Sequence, residues 1–294
     1  RNAHECYVRV LLWDPFRNLL VSGGGDGWIR LWSTDTLKLE AELDASLSVR
    51  SLLILTQELC SGHSNGEVIL WDMERSGHPR KQTLKAHREA VYALAMLTSG
   101  ELVTGAEDIR IFARGMLGSF GLVRAVDEEV LCLCSIPRSS MVVTGDMNSL
   151  ITVWDSAADW RQAATCRGHT RSVWALCYIR DVSRCASGSA DQTIRIWDPT
   201  SWICDRVLAS HTRWVVGLSC GPKWLLSCSI DQTVRVWDCA TWTCARTFAD
   251  QEYEVYCVCA FAGGRFATGG AEMSIIVYGG SEHEAEQPPS QAMR

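Results

Sequence analysis

The sequence predicts an all-β repeat protein, seven stacked units spanning almost the whole of its 294 residues. An aromatic residue closes a short strand at Trp32, Trp71, Phe112, Trp154, Trp197, Trp237 and Tyr278, at intervals of 39 to 43 residues. A recurrence of that length marks a structural unit repeating itself. The stretches before each anchor alternate apolar and polar residues, rich in Val, Ile and Trp and punctuated by Gly, Ser, Asp and Asn. That period of two belongs to short strands and tight turns. No segment carries a helical stripe. Because one such unit cannot bury its own apolar face, the units must stack on one another in a single domain.

The repeats superimpose in detail. One runs from Gly168-His169 through Ser187 and Asp191 to Trp197-Asp198, and the next from Ser210-His211 through Ser227 and Asp231 to Trp237-Asp238. A regular array of strands with a Gly-His start and a Trp-Asp end resembles the WD-repeat family over residues 4 to 280. That resemblance implies a seven-bladed β-propeller of four-stranded antiparallel sheets around a channel. The expected organisation is one propeller over residues 1–280 and a disordered polar tail over 281–294.

Taken in order, the units differ in one recurring set. Aligned on the Val that opens each innermost strand (Val8, Val49, Val91, Val130, Val173, Val215, Val255), a histidine falls four residues upstream in units one, three, five and six. In the family this His joins a Ser or Thr, an Asp and the Trp indole in a buried hydrogen-bond chain. The matching sets are His4/Ser22/Asp26/Trp32, His169/Ser187/Asp191/Trp197 and His211/Ser227/Asp231/Trp237. A residue used once per unit is a building element, and the indole as terminal donor separates these sets from a hydrolase triad. Unit two has Ala45 and Asn65 in the His and Asp slots, unit four Val126 and Asn148, and unit seven Gln251, Glu272 and Tyr278. Unit three keeps His87, Thr104 and Asp108 but ends in Phe112, which has no N–H. Local opening is expected to favour units two to four and seven. His63, His78 and His283 fall outside the pattern.

The termini suggest an unfinished last unit. In the family the outermost strand of the last blade is usually donated by the other end of the chain, yet only Arg1 to Ala3 precede His4, and the charged tail with Pro288-Pro289 does not read as β. The closing outer strand of the last blade is expected to be missing from this chain, which then reads as a segment of a larger protein.

Composition narrows the function. A formal charge of −6 argues against nucleic acid and anionic membrane, and no apolar run approaches the length of a span. Fourteen cysteines include the pairs Cys132/Cys134 and Cys257/Cys259, but these occupy slots that elsewhere hold small residues such as Ala93 and Ala95. They read as compact apolar fillers and not metal ligands, so neither metal nor cofactor is expected. Unpaired thiol in such quantity suits a reducing, intracellular setting, cytoplasmic or nuclear. No nucleotide or catalytic motif is present: Ser22-Gly23-Gly24-Gly25-Asp26-Gly27 is glycine-rich but lies in a β-turn with no helix after it.

A rigid ring without catalytic groups is expected to serve as a protein-interaction scaffold or targeting module. In WD-repeat proteins the usual docking surface is the channel mouth where each innermost strand begins. On that analogy the partner-binding candidates are Arg9, Arg50, Tyr92, Trp174 and Tyr256 after the opening Val, with Arg171, Arg213, Trp214 and Tyr253 in the preceding turns. Arg, Trp and Tyr dominate interface energetics, and guanidinium groups grip carboxylate or phosphate in a forked geometry. The expected partner is a protein or peptide with an acidic or phosphorylated segment. Two alternatives share this surface: the substrate-recognition subunit or domain of a ubiquitin ligase, for which the Trp-Asp-x-Arg adaptor signature is absent, and a propeller enzyme.

Overall fold

The computed structural model describes residues 3–116, 118–221 and 223–279 together with the backbone of Gln291–Met293. Seven antiparallel sheets each contain four strands in chain order from the channel outward. In blade one these are Val8–Asp14, Leu19–Gly24, Trp28–Ser33 and Leu39–Asp44. Leu19–Gly24 is buried at every position, whereas Leu39–Asp44 is mostly exposed, as expected for sheets that pack face to face and meet water at their outer edge. Innermost strands of successive blades touch, and Val255–Phe261 of blade seven packs on Val8–Asp14 of blade one, closing the ring.

The packing rule between blades is legible residue by residue. Each opening Val is inaccessible to water, and in six of the seven junctions it lies against a glycine in the second strand of its neighbour. A Cβ at Gly23, Gly62, Gly105, Gly145, Gly188 or Gly269 would come within 2.6 to 2.8 Å of that Val Cγ1. Blade six reverses the exchange: Cys228 takes the glycine position, and Gly217 gives way, since a Cβ there would lie 2.6 Å from Cys228 Sγ. Gly188→Ala is therefore expected to cost about 1–2 kcal/mol through overpacking against Val215, with partial recovery in Gly188→Ala/Val215→Ala. Chemical denaturation of the four proteins of that cycle measures the coupling.

Blade seven differs at its edge. Outer strands elsewhere run to five to seven residues. No strand of that length is described for blade seven, whose outer position is held by three residues, Gln291–Met293, pairing antiparallel with Ile275–Tyr278. Those three residues belong to the tail read from sequence as disordered, which corrects that expectation for them. The rest of the tail lies outside the described residues.

Candidate functional site

The channel mouth is built by an irregularity in the innermost strands. In blades one, two, five, six and seven the antiparallel register shifts immediately after the opening Val. A bulge of this kind leaves one residue out of the ladder and re-aims its side chain. The residues so displaced are Arg9, Arg50, Trp174, Val216 and Tyr256. In blades three and four, Tyr92 and Leu131 hold the same slot just before the strand, their N–H groups bonded to the Gly105 and Gly145 carbonyls. All seven line one central cavity of about 360 Å³.

The mouth is short of acceptors. Arg50 Nε and Trp174 Nε1 are buried with no hydrogen-bond partner among the described residues. Arg9 enters no ion pair there either, its guanidinium resting 5.8 Å from the centroid of the Tyr256 ring. Tyr256 donates its hydroxyl proton to Glu254 at 3.0 Å and stands edge-on to Tyr7. Burial, and then the neighbouring Asp146, pushes the Glu128 carboxyl up on the blade-four side. Neither Arg50 Nε nor Trp174 Nε1 is accessible to water, although Arg9, Arg50 and Trp174 are each only partly buried.

The remaining candidates do not line this cavity. Arg171, Arg213 and Tyr253 are exposed in the turns before their innermost strands, with Arg213 3.9 Å from Glu254. Trp214, 40% exposed, stacks on Trp174 with centroids 6.1 Å apart and planes 13° apart. Of the four candidate arginines, Arg9 and Arg50 line the mouth, and Arg171 and Arg213 lie outside it.

The histidine sets stiffen the blades below. In blade five the Trp197 indole donates to Ser187 Oγ at 2.8 Å, Ser187 stands 2.7 Å from His169 Nε2, and His169 Nδ1 lies 2.8 Å from Asp191. Blade six repeats this with Trp237, Ser227, His211 and Asp231 at 2.8 to 2.9 Å, and blade one with Trp32, Ser22, His4 and Asp26 at 2.8 to 2.9 Å. The bonding assigns one tautomer: indole to Ser, Ser to Nε2, and Nδ1–H to the carboxylate. Burial is the largest single influence and would raise the three carboxyls, but the histidine bonds together with those from Arg30, Thr193, Thr233 and backbone N–H groups outweigh it and hold them well below the usual range. Ser22, Ser187 and Ser227 are wholly inaccessible, so none can meet a substrate.

Two blades expected to lack such a set have one of another kind. In blade two the Trp71 indole donates to Ser61 Oγ at 2.8 Å, and Ser61 bonds His63 Nε2 at 2.8 Å. His63, outside the sequence pattern, reaches this hydroxyl from the second strand of its blade. In blade seven Tyr278 donates to Asp250 at 2.9 Å and receives a bond from Gln251. In blade four the Trp154 indole reaches Thr144 at 3.0 Å, with no histidine. Blade three keeps His87 Nε2 2.6 Å from Thr104 and His87 Nδ1 2.7 Å from Asp108 but has no indole to join them. Blades two and seven thus carry buried bonding that the sequence pattern did not show.

The Cys-x-Cys thiols of the innermost strands are poor nucleophiles and ligands. All fourteen cysteines are free. Burial pushes Cys134 and Cys259 up to about 12, and Cys132 and Cys257 rise for the same reason. Among the described residues one group, His87, Glu107 and Asp108, has metal-type ligand atoms within 4.8 Å of one another. Its carboxylates are already engaged: Arg110 Nε donates to Asp108 at 3.0 Å, and Glu107 accepts the Arg88 N–H at 2.8 Å.

A ring of seven blades, five of them anchored by an indole bonded to a buried hydroxyl, defines the class. The WD40 family model, described as WD domain, G-beta repeat, matches residues 1–33, 123–155, 160–198 and 202–238, and the chain belongs to the WD-repeat β-propellers. It is similar to the WD repeat-containing protein srw1 of Schizosaccharomyces pombe, 38% identical over 113 residues, 36% of this chain and 20% of that protein. Nuclear distribution protein nudF of Aspergillus niger is 30% identical over 168 residues, covering 50% of this chain and 35% of its own length. The WD repeat-containing protein WDS homolog of Arabidopsis thaliana is 27% identical over 240 residues, 75% and 44% respectively. The chain thus spans less than half the length of each of these relatives. Among the described residues, no helix is long and apolar enough to cross a membrane.

Proposed function

We propose that this propeller is a non-catalytic protein-interaction module whose channel mouth receives an acidic or phosphorylated segment of an intracellular partner. The observation that carries the reading is that Arg9 and Arg50 both line one cavity, each only partly buried and neither in an ion pair among the described residues. A carboxylate or phosphate supplies acceptors to both arginines at once, and charge-assisted bonds of this type are about twice as strong as neutral ones. The likeness to nudF and to other WD-repeat proteins supports a scaffold role, and fourteen free thiols support a reducing compartment.

Fluorescence anisotropy with two labelled peptides, one rich in Glu and one bearing phosphoserine, tests the reading. Arg50→Glu is expected to weaken binding about tenfold or more by removing a donor and adding a like charge. Arg171→Glu, outside the mouth, is expected to cost less. Undiminished affinity in Arg50→Glu removes the proposal, and the ratio between the two peptides separates carboxylate from phosphate recognition.

A further inference from the structure

Beside the mouth, where blades five, six, seven and one meet, lies a second, smaller cavity of about 250 Å³. Arg9, Trp174, Val216 and Tyr256 line both, so the two adjoin. The stacked Trp174 and Trp214 form one wall, and Ile230 provides aliphatic surface. Its volume falls below the range of about 300–1,000 Å³ typical of drug-sized ligands, and it suits a single side chain.

Its charges select by exclusion. A lysine or arginine side chain entering here meets Arg9, whose guanidinium already occupies the cation position against the Tyr256 ring. A carboxylate entering meets Glu254, bonded by the Tyr256 hydroxyl, as well as Arg9, so the lining offers neither sign of charge a net complement. What remains favourable is an uncharged ring that can pack against indole faces. We infer that the mouth reads two features of one peptide segment: an anionic group held by Arg9 and Arg50, and close to it in sequence an uncharged aromatic residue seated between Trp174, Trp214 and Ile230. This rests on the reading of the mouth as an anion-accepting docking site and adds the residue class that gives it selectivity.

Selection of a random displayed peptide library on the whole chain tests it. Enriched peptides are expected to carry an acidic residue and an aromatic one at fixed spacing. In a selected peptide, aromatic→Ala is expected to weaken binding to the wild type about tenfold. Trp214→Ala and Ile230→Ala, each checked by its melting curve, are expected to abolish that discrimination while leaving dependence on the acidic residue intact. Peptides enriched for acid alone, or for a basic residue in place of the aromatic, overturn the inference and leave the anion site standing. Absence of any acidic enrichment overturns both.

Discussion

Ser187→Ala is expected to destabilise the protein by about 2–4 kcal/mol, because one oxygen satisfies two buried groups and an unpaired buried donor or acceptor costs about 1–3 kcal/mol. Its loss strands the Trp197 indole N–H and His169 Nε2 together. The Asp191 end of the chain then holds a histidine whose other nitrogen faces no partner, so the damage spreads along the network. Thr144→Val in blade four strands only the Trp154 indole and is expected to cost about half as much. Equilibrium unfolding in urea measures both, and equal losses at the two sites would argue that the histidine adds nothing to the indole bond. Peptide binding per folded molecule is expected to survive Ser187→Ala, as it should for a building element.

Acidification is expected to weaken the fold through His63 before it affects the carboxylates. Burial lowers His63 from an ordinary value of 6.5 to about 4 in the folded chain. The unfolded chain therefore binds the proton first, and stability present above pH 6.5 is lost as the pH falls toward 4. A difference of this size corresponds to about 3 kcal/mol, complete near the folded value. His87 shifts in the same direction, burial again outweighing its acidic neighbours. Asp26, Asp191 and Asp231 behave oppositely: depressed in the folded state, they contribute above the ordinary carboxylate range of about 4 and lose that contribution only below it. His63→Gln keeps an acceptor for Ser61 and removes the titration. The wild-type stability curve between pH 7 and 4.5 is expected to fall more steeply than that of the variant, and parallel curves would contradict the assignment.

The frame of this molecule was legible in the sequence wherever a residue repeats. The aromatic anchors, the opening valines and the slots of His4, His169 and His211 recur at one spacing, and periodic packing makes such positions predictable from each other. What lay outside the repeat was not. His63 reaches the same buried hydroxyl from another strand, and the available signal was local: Ser61 and His63 sit two apart, on one face of one strand, in the unit where Ala45 leaves the histidine slot empty. Gln291–Met293 is too short to announce a strand, and pairs with the edge that Ile275–Tyr278 offers. At the mouth, family analogy named the residues after the opening valines, but the bulge that turns them inward has no sequence mark. The pairing of Trp174 with Trp214 and the separation of Arg171 and Arg213 from Arg9 and Arg50 are properties of the ring, visible only once adjacent blades are set side by side.

The thirteen tryptophans allow the central claim, a stiff indole-anchored ring with a responsive mouth, to be read in one experiment. Indole N–H resonances recorded by nitrogen-15 NMR during titration with an acidic peptide are expected to show Trp174 moving as the mouth it lines is occupied. Those of Trp32, Trp71, Trp154, Trp197 and Trp237, each already bonded to a buried hydroxyl, are expected to stay in place. An unmoved Trp174 in the presence of bound peptide, or displacement of the five bonded indoles, would contradict the account.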